Sequence, residues 1–199
     1  MIAQLIATIL IVAIHYGTKG SIDTSLGYNL NYIIQETLLN GFARSAVPVF
    51  ALLSGYFLIK RVATFDKYRL TLINKFYTLL VPYLTVSTII FLSSVSLNTI
   101  FNQDKSQQLN LYSIVFHVLA HPQSAQFWFL RDLIILVIVS PLIFNANKLT
   151  FYGIGILLIF FWIMDIQPFP IVAGWYLLNI ETLFFFWLGG MLFRGGNKH

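Results

Sequence analysis

The sequence predicts an all-α fold: a polytopic transmembrane helical bundle of about six spans, one domain over residues 1–199, with the N-terminus in the cytoplasm. Three observations predict it. The 199 residues are 58% hydrophobic and 10% charged, with a mean hydropathy of +0.79, whereas soluble domains carry about 25% charged residues. Apolar runs recur along the chain between short polar segments. The basic residues fall in alternate connections, the distribution that marks cytoplasmic loops.

Residues 1–17, MIAQLIATILIVAIHYG, form the first span, at the short end of the about 17–25 residues a bilayer requires. No basic region precedes this run and no small-residue cleavage site follows it, so it reads as a span, not a signal peptide. Residues 18–30 are a polar loop. Asn31 to Asn40 begin a second helix near the interface, whose deeper part runs from Ser45 to Ile59. The chain is organised around the stretch Gly41–Lys60, GFARSAVPVFALLSGYFLIK. Arg44 stands near its start, where a long side chain can snorkel to the interface and escape the cost of about 2.5–3.5 kcal/mol that a central arginine carries. Pro48, one turn later, has no N–H and frees carbonyls around Arg44, which suits an irregular helix start. Ser54-Gly55 offers a small-residue face for close helix packing.

Lys60, Arg61, Lys67, Arg69 and Lys75 then share one connecting segment with a single acid, Asp66. This is the strongest basic cluster and is assigned to the cytoplasm. Phe76–Leu97 is the third span, with Pro82 near its cytoplasmic end. Residues 98–126 are the longest polar segment, with a short amphipathic helix at 111–120. Trp128–Phe144 is the fourth span, Asn145–Lys148 a tight turn, Thr150–Met164 the fifth span and Ile166–Pro170 a proline-bent turn. Ile171–Phe193 is the sixth span, closed by Arg194 and Lys198. Counted this way, Lys148, Arg194 and Lys198 are also cytoplasmic, and only Lys19 and Lys105 lie outside.

The net charge of +5 and pI near 9.5 follow from this loop asymmetry, so no nucleic-acid partner is expected; the lipid bilayer is. The chain has no cysteine, which excludes disulfides, a thiol nucleophile and thiolate metal sites.

Several polar residues in apolar surroundings need an explanation. His15 is either an interfacial histidine ending a span or a general base, because a pKa near 6.5 lets imidazole take a proton at neutral pH. Arg131 and Asp132 follow Trp128 by three and four positions and share its helix face. They form either a self-neutralising pair beside a belt tryptophan or the polar wall of a cavity. Glu181, placed mid-way along the sixth span, requires a partner or a proton; Arg44 and Arg131 are the candidate partners, and pairing ranks ahead of catalysis. His117 and His121 have i,i+4 spacing, but without a third ligand they read as exposed interfacial histidines, and no metal site is expected.

Four motifs in order carry a resemblance. A histidine closes the first span (LIVAIHY, His15). Arg44, Pro48, Ser54, Gly55 and Tyr56 give Arg-x-x-x-Pro…Ser-Gly-Tyr. A basic stretch runs into Leu-x-Pro-Tyr between Lys75 and Tyr83. Trp128–Leu130 open a span that ends Ser140–Ile143, Ser-Pro-Leu-Ile. Together they resemble the bacterial acyltransferase 3 family, integral membrane O-acyltransferases that move acyl groups from acyl-CoA to surface polysaccharides and related glycans. Gln4, Thr78 and Gln126 occupy positions where that family often has a basic residue or histidine. Family members usually carry several further spans, so the resemblance implies that C-terminal spans are missing here.

The resemblance implies His15 as the catalytic base, with Arg44 stabilising charge on the acyl donor or oxyanion. It implies cytoplasmic cations, here Arg69 and Lys75, holding the CoA phosphates; Trp128, Arg131, Asp132 and Glu181 are, from their own placement, the residues expected to line the cavity. Acyl-CoA would be the donor substrate, no cofactor is called for, and a glycan or glycolipid would be the acceptor, in the bacterial inner membrane. The rival class is a non-enzymatic transporter of glycan or another solute, since intramembrane Arg, Asp and Glu also mark transport paths. Inverted repeats would favour that class, and the sequence shows none.

Overall fold

The computed structural model describes residue 37 and residues 43–62, 64–100, 111–120, 127–172 and 175–196. A 3₁₀ turn at Ala43–Ser45 leads into α1 (Ala46–Val62), followed by α2 (Phe65–Lys75) and α3 (Val81–Ile100). The short α4 (Leu111–Val115), α5 (Trp128–Phe144) and α6 (Lys148–Ile163) come next. Strands β1 (Pro170–Val172) and β2 (Trp175–Tyr176) form an antiparallel hairpin, and α7 (Ile180–Gly196) follows.

The helix ends have local causes. Pro48 sits in the first turn of α1, where its missing N–H leaves no intrahelical bond unmade; the irregular start expected there is the 3₁₀ turn. Thr64 adopts an extended conformation ahead of α2, and Asp66 lies in the first turn, favoured by the helix dipole. Asn147 caps α6, its side chain accepting from the Thr150 N–H at 2.8 Å, so the Asn145–Lys148 turn is as expected. α5 has the boundaries read from the sequence.

Other boundaries differ. Lys67, Arg69 and Lys75 do not lie in a loop: α2 continues through a π turn at Phe76–Leu80 into α3, giving one helix of 34 residues from Phe65 to Asn98. The π turn is the answer to Pro82. Proline cannot donate to the carbonyl four residues back and crowds it, and widening the preceding turn, with the Val81 N–H bonding to the Phe76 carbonyl, relieves both problems. Among the described residues this is the one helix long and apolar enough to cross a membrane. At 1.5 Å per residue it spans about 51 Å, longer than a hydrocarbon core of about 30 Å. α1, α5 and α7, with 17 residues each, reach only about 25 Å.

The expected sixth span, Ile171–Phe193, is also corrected. Its first residues form the hairpin, with Pro170 opposite Tyr176 and Val172 opposite Trp175, and helix begins only at Ile180.

The bundle is built on α1 and α7. A Cβ at Gly55 would fall on the Phe186 carbonyl oxygen, and one at Gly189 on the Leu52 carbonyl oxygen. The two helices cross at these glycines and run parallel: Phe185 packs on the Val47 and Ala51 cluster near the start of α1, whereas Phe193 meets Tyr56 at 5.5 Å and Lys60 at 5.1 Å toward its end. Gly190 receives the Phe144 ring and Gly155 the Trp187 ring. The main core joins Leu58, Ile59 and Val62 of α1 to Leu136, Val137 and Phe144 of α5, Phe151 and Leu158 of α6, and Phe184, Phe186 and Trp187 of α7. A second cluster, Val47, Ala51, Phe129 and Leu133, aligns α1 with α5 in the same direction. α6 runs the opposite way: Phe151 meets Trp187 at 5.3 Å and Trp162 meets Phe184 at 5.1 Å.

Candidate active site

These directions gather the charged residues at two ends. Lys60 and Arg61 in the last turn of α1, Lys148 at the start of α6 and Arg194 in the last turn of α7 share one end. There Lys60 lies 5.1 Å from the Phe193 ring centroid, and Arg194 lies 4.0 Å from that of Phe151 while donating to the Phe144 carbonyl. Arg44, Trp128, Arg131, Asp132 and Glu181 gather at the other end, at the starts of α1, α5 and α7.

At that second end the densest polar contacts surround Arg131 and Asp132. Both are buried, 4% and 0% exposed, and form an ion pair at 3.1 Å. Arg131 also donates to the Tyr176 carbonyl, and the second Asp132 oxygen accepts from the Asn179 N–H at 3.1 Å. The carboxylate thus sits at the positive end of α7, where anions are favoured. Buried Thr182 borders it. The Gln167 side chain accepts from the Ile180 N–H at 3.0 Å, satisfying one more of the donors a helix start leaves open.

Tyr83 reaches the same place from α3. It is 2% exposed, donates to the Leu119 carbonyl at 3.0 Å, lies edge-on to Phe127 at 6.0 Å and comes within electrostatic range of Arg131 and Asp132. Tyr68 on α2 donates to the Ile138 carbonyl at 2.9 Å, so the long helix runs antiparallel to α5. The Leu-x-Pro-Tyr motif, expected at the cytoplasmic end of its span, therefore meets the Trp-Phe-Leu motif at the end that carries Asp132.

His15, the expected base, lies outside the described residues, as does His121. Arg44 is exposed in the 3₁₀ turn, one turn ahead of Val47. Trp128 is half-buried and packs against the Val47, Ala51, Phe129 and Leu133 cluster. Glu181 lies in the first turn of α7, not mid-span. Phe185, one turn below Glu181, packs on that same cluster, so the carboxylate stands above it at the end marked by Arg44 and Trp128. Among the described residues Glu181 makes no ion pair; Arg131, one of its expected partners, is engaged by Asp132. On α2, Arg69 is exposed, while Lys75 is half-buried with Arg61 close enough for the two charges to interact. His117 stacks on Phe91 at 5.7 Å, and the described residues contain no group of three possible metal ligands.

Tyr83, Asn179, Thr182 and Gln167 are the participants that the sequence did not nominate as site residues. Only Tyr83 carried a signal, its place in Leu-x-Pro-Tyr. Asn179 acts through its backbone N–H, Gln167 as a local cap and Thr182 through its side chain beside Asp132.

The family model described as an acyltransferase domain, acyltransferase 3, matches residues 2–199. The chain belongs to the acyltransferase 3 family. No curated protein and no solved structure matches it.

Proposed function

We propose that the chain is a membrane O-acyltransferase that moves a short acyl group, such as acetyl, from acyl-CoA to a hydroxyl of a surface polysaccharide or glycolipid. The observation that carries this reading is the acyltransferase family match over residues 2–199. The two unlike ends of the bundle support its sidedness. Coenzyme A is a polyanion made in the cytoplasm, and the end with Lys60, Arg61, Lys148 and Arg194 suits the cytoplasmic face by the positive-inside rule. Arg69 and Lys75 are the proposed phosphate contacts. The opposite end, with Trp128, Arg131, Asp132 and Glu181, is the proposed acceptor side in the bacterial inner membrane.

In the proposed step, His15 takes the proton of the acceptor hydroxyl as its oxygen attacks the thioester carbonyl. The new C–O bond forms, the C–S bond breaks, and coenzyme A leaves as a thiol with the proton that His15 returns. Arg44 stabilises the oxyanion between these events through the donors of its guanidinium.

The test is release of coenzyme A thiol by the purified full chain in lipid nanodiscs, given acetyl-CoA and a hydroxyl-bearing glycan. His15→Ala is expected to lower the rate by about 10²–10⁴-fold while acetyl-CoA binding is retained. Near wild-type turnover in that variant would remove His15 from the chemistry.

A further inference from the structure

Arg131 and Asp132 are adjacent in sequence, yet both reach the same short piece of chain more than forty residues away. Arg131 donates to the carbonyl of Tyr176, and Asp132 accepts from the N–H of Asn179. The two side chains have opposite hydrogen-bonding character, and each meets the backbone group it alone can satisfy. Both are buried, so water is poorly placed to substitute for either contact.

Among the described residues, the other contacts of that piece of chain are one hairpin hydrogen bond, the Gln167 cap on Ile180 and the buried side chains of Leu178 and Ile180. The hairpin pairs Pro170 with Tyr176 and Val172 with Trp175, and the Leu177 N–H bonds to the Phe169 carbonyl at 2.8 Å, but a two-stranded ribbon does not hold its place unaided. Leu178 is buried, but Leu177 is 44% exposed. Immediately afterwards α7 begins, with the Leu183 N–H bonding back to the Asn179 carbonyl and Glu181 in the first turn.

We propose that Arg131 and Asp132 are positioning residues: a two-armed clasp that fixes Tyr176–Asn179 and thereby sets the first turn of α7, with its Glu181 carboxylate, at the acceptor end. The pair acts through α7, not on the reacting atoms. Its effect on kinetics rests on the acyltransferase reading given above; its effect on the chain does not.

Hydrogen exchange on the full chain in nanodiscs separates the two. Asp132→Leu is expected to speed exchange across residues 176–183 by at least about tenfold, the loss of roughly one buried hydrogen bond to a charged group. Peptides covering the Gly55 and Gly189 crossing should stay protected. The exchanged pair, Arg131→Asp with Asp132→Arg, tests polarity. A simple ion pair survives such an exchange, whereas a clasp does not, because acceptor would face acceptor at Tyr176 and donor would face donor at Asn179. If Asp132→Leu does not fold, Asp132→Asn keeps a carbonyl acceptor but cannot neutralise Arg131, and the same local increase is expected in smaller measure. Unchanged protection at 176–183, wild-type protection in the exchanged pair, or an equal rise at the glycine crossing would overturn the proposal. In transfer assays, Asp132→Asn should raise the KM for the acceptor and leave that for acetyl-CoA unchanged. Absence of transfer in the unmodified chain would count against the enzyme reading alone, with the exchange data still deciding the clasp.

Discussion

The α1–α7 crossing and the Arg131–Asp132 junction hold the same helix by opposite means. At Gly55 and Gly189, side chains are absent and backbone meets backbone. At the start of α7, two charged side chains do the holding. The first contact works through dispersion and fit, which small residues permit by letting the two backbones approach closely. The second trades the desolvation of two charges against an ion pair and backbone hydrogen bonds, which gives direction more than net stability. The crossing decides whether α7 is bound, and the junction decides where its first turn points.

Substitutions can break or sharpen that contrast. Gly55→Leu is expected to have the largest effect: its Cβ already collides with the Phe186 carbonyl, and backbone cannot step aside as a flexible side chain can. No folded protein should be recovered, as judged by size-exclusion chromatography in detergent. Asp132→Ala removes one arm of the junction and leaves Arg131 buried without its counter-ion, at a cost of about 3–5 kcal/mol; a lowered midpoint of thermal unfolding with the fold retained is the expected outcome. Gly153→Ala provides the control of opposite sign. Nothing lies within 4 Å of a Cβ there, so the better helix former should add about 0.8–1 kcal/mol, read as a small rise in the same midpoint. Loss of stability there would mean that glycines in this bundle matter for more than the contacts they permit.

The parts legible in the sequence were those with local causes. Trp128–Phe144 and the Asn145–Lys148 turn follow from an apolar run and a capping asparagine, and the small-residue face at Gly55 was visible in Ser54-Gly55. The hairpin was misread because Ile171-Val172-Ala173-Gly174-Trp175-Tyr176 is apolar enough to pass as the start of a span. Its β-branched and aromatic residues around a glycine are a strand signal that the run's apolar character masks. The segment Phe65–Lys75 was misread for the converse reason. Its charges suggested a loop, yet a helix accommodates them on an exposed face and continues through Pro82 by way of the π turn. The contacts of Arg131 and Asp132 with Tyr176 and Asn179 could not be read at all, since backbone partners more than forty residues away leave no mark in the pattern.

The glycine crossing also sets an order of events. It joins the first long helix described to the last, so α1 has left the ribosome long before α7 exists. Through that interval Gly55 and its neighbours present bare backbone, where a wrong helix with a small-residue face can dock. α5 contacts α1 earlier, through Val47, Ala51, Phe129 and Leu133. That cluster lies about two turns before the crossing, and it leaves the groove at Gly55 open for the helix that arrives last.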